Sequence, residues 1–172
     1  MSIKQMTRCA IMAALICVLS PISVPLSSLV PISLATLTVM LGGVLLGSKE
    51  GTVSVILYLL LGMVGLPVFA GYSSGPTVLF GVTGGFLFGY IPLAFISGLA
   101  VEKKDDYKSM ILGMLIGNVV LYVIGTIWFM IYLNASLGKA LTACVIPFLP
   151  GDIVKMIIVC LIAPRIKPLL NK

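Results

Sequence analysis

Long apolar runs broken by short polar or Gly/Pro-rich stretches set the pattern of this chain. Six runs stand out, at about 7–29, 34–46, 52–66, 83–101, 110–133 and 151–163. Several approach the ~20 apolar residues with which a helix crosses a bilayer. Pro21 and Pro25 make the end of the first run irregular, and Gly47 closes the second ahead of the turn Ser48-Lys49-Glu50-Gly51. Pro67 to Val82 is a connection rich in Gly, Ser and Pro, Glu102 to Lys108 is a charged loop, and Asn134 to Pro147 is a second loop. Pro164 is read as the end of the last run. The pattern predicts an all-α integral membrane protein, with six transmembrane helices in a single polytopic domain over 1–172.

Composition removes the soluble alternative. Hydrophobic residues make up 60% of the chain and charged residues 9%, and its mean hydropathy is +1.22. A soluble domain carries roughly a quarter charged residues. The net charge of +6 does not indicate a nucleic-acid partner, because the basic residues are spread over loop ends and form no stripe. They report topology instead. An even number of spans puts both termini on one side, together with Lys4, Arg8, Lys49, Lys103, Lys104, Lys108, Arg165, Lys167 and Lys172. The other side has Lys139 alone. The positive-inside rule then makes both termini cytoplasmic, in a multi-pass protein of the cell membrane. Lys4 and Arg8 ahead of an apolar run resemble a signal peptide, but no small-x-small site follows, so this run is read as a retained first helix.

The opening chemistry is Pro147-Phe148-Leu149-Pro150-Gly151-Asp152-Ile153-Val154-Lys155. It sets a carboxylate and an ammonium three residues apart, on one face of a membrane helix. Ionisable groups at membrane depth face a partner, a cavity or a substrate. Asp152 lies thirteen residues above Arg165, or ~20 Å along a helix, so the pair belongs to the outer half of the membrane. The structural alternative is a self-neutralising pair at a helix start, where Pro150, Gly151 and an aspartate are all at home.

Other positions carry weaker signals. Asn118, Tyr122 and Thr126 form an i, i+4, i+8 polar stripe that lines a pocket or bonds across to another helix. Phe69 to Pro76 and Gly81-Val82-Thr83-Gly84-Gly85 bring glycine backbones within reach of a ligand, and Tyr72 offers a ring to stack on it. The Gly81, Gly85, Gly89 and Gly113, Gly117 spacings suit close helix contact. Ala10 and Ala14, with Ala13 beside them, suit docking of the first helix on another helix, inside the domain or on a partner. Cys9, Cys17, Cys144 and Cys160 form no Cys-x-x-Cys pair, and the chain has no histidine. Neither a Walker A sequence nor a nucleophile–base constellation nor an acidic cluster for a metal is present. The chain is therefore expected to be no enzyme and to hold no metal or cofactor.

Four stretches in matching order resemble the BioY family over nearly the whole chain. They are Val30 to Leu37, Leu57 to Gly71 with Gly65-Leu66-Pro67-Val68-Phe69-Ala70-Gly71, Thr83-Gly84-Gly85-Phe86, and Pro147 to Asp152 with Lys155. BioY proteins are the biotin-specific substrate-binding (S) components of energy-coupling-factor (ECF) transporters. The resemblance implies a six-helix S-component fold with biotin bound near the extracellular side. It also implies docking through Ala10, Ala13 and Ala14 onto a transmembrane coupling protein that carries two cytoplasmic ATPase subunits. Asp152, Lys155, Thr36, Gly71, Tyr72, Thr83, Gly84, Asn118 and Tyr122 become the expected biotin-binding set. The chain departs from the family pattern at Ala35, where glutamine is common, and at Val82, where proline is usual.

Biotin, an apolar fused ring with a ureido head and a carboxylate tail, suits an apolar pocket with a few placed polar groups. Asp152 is expected to accept from the ureido N–H groups, and Lys155 to address the ureido oxygen or the tail. Two rival readings stand beside this one: a carrier that works without a coupling module, and an S component for another vitamin.

Overall fold

The computed structural model describes residues 1–24 and 30–170. Helix α1, Ile3–Leu19, opens on a capping box in which Ser2 and Gln5 satisfy each other's backbone amides at 3.3 and 2.8 Å. Its inward face is Cys9, Met12, Ala13 and Ile16, at helical spacing. The helix stops ten residues short of the expected 29, because Pro21 has no N–H to donate and Pro25 follows closely. Ser23–Val24 (β1) instead pairs antiparallel with Ile32–Ser33 (β2), Ser23 opposite Ser33. The rest of the predicted first span, 25–29, lies outside the described residues.

Helix α2, Ala35–Met63, is broken at Gly47, whose φ of 84° and ψ of −178° belong to glycine alone. The chain doubles back there. A Cβ placed on Gly51 would sit 2.9 Å from the Gly43 Cα, whereas residues eight apart on a straight helix are ~12 Å apart. The limbs 35–46 and 48–63 thus form a helical hairpin around a single residue. The predicted turn at 48–51 is the first turn of the second limb. Glu102 caps that limb, accepting from the Ser48 amide at 2.7 Å and from the Ser48 hydroxyl at 2.8 and 3.0 Å.

The connection after α2 holds one 3₁₀ turn, Ala70–Tyr72, and the short α3, Pro76–Leu79. Helices α4, Gly84–Lys103, and α5, Tyr107–Leu133, then pack antiparallel. Five glycines bring them together: Gly85 faces Trp128, Gly89 faces Leu121, Gly117 faces Leu93, Gly113 faces Ala100 and Gly125 faces Phe86. Gly81 stands apart, in the turn before α4. The predicted loop after residue 134 contains α6, Leu137–Cys144, which meets α7, Leu149–Leu170, at a 43° bend. Pro164 does not end α7. The helix continues through Pro164 and Pro168, and its last turns are tied down by Lys167 to Asp105 at 2.6 Å and by Arg8 donating to the Leu170 carbonyl.

By length and apolarity α4 and α5 can each cross a membrane, α6 with α7 supplies a further, bent span, and α2 is as apolar but is divided between its two limbs. The contacts among Arg8, Leu170, Ser48, Glu102, Asp105 and Lys167 gather the basic residues at one end of the bundle. The other end, where α1 finishes and α7 begins, holds a cavity.

Candidate ligand site

Asp152 and Lys155 reach the interior because α7 buries one narrow stripe, Asp152, Lys155, Val159 and Ala163. Ile153, Val154, Ile157 and Leu161 point outward. Asp152 is 3% exposed and Lys155 6%, so neither charge is left to water. They meet at 3.0 Å, Lys155 Nζ to Asp152 Oδ1. Thr36, on the first turn of α2, accepts from Lys155 Nζ at 2.7 Å and donates to Asp152 Oδ1 at 3.3 Å. Tyr122, from the middle of α5, donates to Asp152 Oδ2. Three elements thus satisfy one buried ion pair, the condition under which such a pair is tolerated.

This network forms one wall of a cavity of about 180 Å³, over ten times the ~10–15 Å³ that one water needs. The remaining walls are mostly aromatic and aliphatic: Phe69, Val78, Phe86, Leu87, Leu121 and Phe148. Phe86 and Phe148 stack with ring centres 6.4 Å apart, joining α4 to the start of α7. Phe69 packs edge-on against Tyr58 at 5.5 Å. Polar atoms recur at the end of α1, where the Ser20 and Tyr58 hydroxyls are 2.6 Å apart and the Ser33 hydroxyl donates to the Ser20 carbonyl at 2.6 Å.

Of the residues expected from the sequence, Asp152, Lys155, Thr36, Tyr122 and Thr83 line the cavity. The other four lie off it. Gly71 is exposed, and its amide donates to the Pro21 carbonyl at 3.1 Å. Tyr72 is 69% exposed, with its ring outside. Gly84 packs under Leu79 and Trp128, and Asn118 is buried one helical turn below Tyr122 with its amide 3.8 Å from the Met40 sulfur. The α1 expectation divides likewise, since Ala10 and Ala14 face outward while Ala13 is packed inside. Ser33, Tyr58, Tyr90 and Phe148 were absent from the expected set. The Phe86-x-x-x-Tyr90 spacing after Gly84-Gly85 was a legible signal for α4, but it is also what plain packing looks like.

A helical membrane bundle that closes an apolar cavity over one satisfied ion pair, at the end opposite its basic residues, defines a membrane-embedded small-molecule-binding protein. The BioY family model matches residues 1–172. The chain belongs to the BioY family. "Biotin transporter BioY" of Thermotoga maritima is 39% identical, over 96% of this chain and 97% of its own length. That of Rhodobacter capsulatus is 37% identical, over 95% and 93%. A solved S-component for biotin from an ECF-type ABC transporter superposes with a TM-score of 0.88 at 30% identity, covering 96% of this chain and 92% of that one.

Proposed function

We propose that this protein binds biotin from the outer side of the cell membrane and serves biotin uptake as the S component of an ECF-type ABC transporter. The observation that carries this reading is the Asp152–Lys155–Thr36–Tyr122 network set into an otherwise apolar cavity. Membership of a family whose relatives are named biotin transporters supports the substrate.

The network is neutral as a unit, because the lysine's charge is spent on the aspartate. Neutrality suits the uncharged ureido head better than the carboxylate tail. Asp152 retains lone pairs for ureido N–H groups, and Lys155 retains one N–H for the ureido oxygen. Thr36, Thr83 and Tyr122 complete the polar wall.

Counting α1, the two limbs of α2, α4, α5 and α7 gives six membrane segments in one domain over 1–172. The start of α1 and the end of α7 fall at the basic end, which is cytoplasmic by the positive-inside rule. Ala10 and Ala14 face outward on α1 and offer the close-approach surface for a coupling protein, which in turn carries two ATPase subunits.

Mass spectrometry of small molecules retained through purification in detergent tests the substrate, with biotin the expected ligand. Uptake assays in cells with and without the coupling protein and ATPases test the partners. Uptake that persists without them favours a carrier that works alone.

A further inference from the structure

Resting on the biotin reading, we infer that Tyr90 is a specificity-determining ligand contact, the second donor to the ureido carbonyl beside Lys155. Tyr90 lies on α4 one turn below Phe86 and lines the cavity at 8% exposure. The other buried hydroxyls on the wall are spent within the protein. Ser20 and Tyr58 hold each other, Ser33 donates to the Ser20 carbonyl, and Thr36 bridges Lys155 and Asp152. Half-buried Tyr122 is spent on Asp152. Among the described residues the Tyr90 hydroxyl has no hydrogen-bond partner. It is not sealed in the packing either: the hydroxyl opens to the cavity, where a ligand atom can reach it.

Counting donors and acceptors identifies that atom. Lys155 has three N–H donors and commits two, to Asp152 and Thr36. One remains for the ligand, while a ureido oxygen carries two lone pairs. The ureido N–H groups find acceptors on Asp152 and on the Tyr122 oxygen. What the network lacks is a second donor; of the two unspent wall hydroxyls, Thr83 is half-buried in the turn before α4, and buried Tyr90 supplies it. A site built on two donors favours a carbonyl oxygen over an isostere without that acceptor.

Tyr90→Phe tests the assignment, because it deletes only the hydroxyl and breaks no bond in the free protein. Calorimetry on the purified protein in nanodiscs is expected to show biotin binding about tenfold weaker, the share of one neutral hydrogen bond. Biotin methyl ester, which lacks the tail charge, is expected to lose the same factor, and the unliganded melting temperature to stay level or rise. Biotin binding within about twofold of wild type overturns the assignment. A penalty seen with the acid but not the ester overturns it too, by placing Tyr90 at the tail. So does a clear drop in unliganded melting temperature, which would mean that the hydroxyl is spent inside the protein. Wild-type protein that fails to bind biotin overturns the substrate reading itself, and this inference with it.

Discussion

Two side chains carry most of the risk in this molecule. A buried ion pair gains little over an apolar pair of similar shape, but removing one partner strands the other at a cost of about 3–5 kcal/mol. Asp152→Asn keeps the shape and leaves the Lys155 ammonium unpaired, so it is expected to lower the melting temperature and abolish tight biotin binding together. Adding Lys155→Met removes the stranded charge. The double variant is expected to regain most of the lost stability, measured by thermal unfolding, while calorimetry still finds no tight binding. Tight binding by the double variant would make the pair a structural feature only. Asp152 and Lys155 are legible in the sequence, because hydration cost makes any charge in an apolar run conspicuous, whereas Thr36 is reached only through the family resemblance. Tyr58, Tyr90 and Phe148 are not legible there. An aromatic residue on an apolar helix packs the core or walls a cavity with the same spacing, and only the fold decides.

At the scale of elements, Gly47 shows how little sequence a reversal needs. Its backbone is open to glycine alone, and an added Cβ would lie 2.5 Å from the Glu102 carboxylate that caps the second limb. Gly47→Ala is therefore expected to cost about 1–3 kcal/mol in backbone strain alone. Displacing the Glu102 cap adds to that, and thermal melts read the sum. Asp106, outside the apolar core at the start of α5, gives a gentler effect. Hydrogen bonds from Ser109, with Lys104 nearby, hold its carboxyl below the ordinary 3.8. Asp106 thus contributes stability that is present above that ordinary value and is lost as pH falls through the lowered one. Asp106→Asn keeps an N-cap acceptor but not the charge, so neutral stability should fall by the small charge-linked share while the decline below the ordinary carboxyl range becomes shallower in acid titrations. Gly47 and the charged loop at 102–108 mark helix limits that the structure keeps. The structure departs from the pattern at Pro21 and Pro164, at the helical 48–51 and at α6. Hydropathy runs on past the first, where the chain turns away, and a proline in the last turns is tolerated because neighbouring side chains hold the helix end.

At the scale of the whole molecule, two separate lines bear on how the bundle sits in the membrane. One is charge alone: Lys4, Arg8, Lys49, Lys103, Lys104, Lys108, Arg165 and Lys167 lie toward one end, against Lys139 near the other. The second is contact: Arg8 on the Leu170 carbonyl, Glu102 on Ser48 and Lys167 on Asp105 draw the start of α1, the Gly47 turn, the α4–α5 loop and the end of α7 together. Both divide the chain in the same way, and the division puts the cavity at the end away from the lysines. If that end faces outward, the cavity is filled from outside, and α1 joins the two sides: Ser20 reaches the cavity wall while Arg8 holds the cytoplasmic end. The orientation is testable in a background lacking the four native cysteines, with single cysteines introduced as Lys139→Cys and Lys104→Cys, both at exposed positions. A membrane-impermeant maleimide on intact cells is expected to label position 139 at once and position 104 only after permeabilisation. The reverse order would turn the bundle over and place the cavity on the cytoplasmic side, where no extracellular biotin could enter it directly.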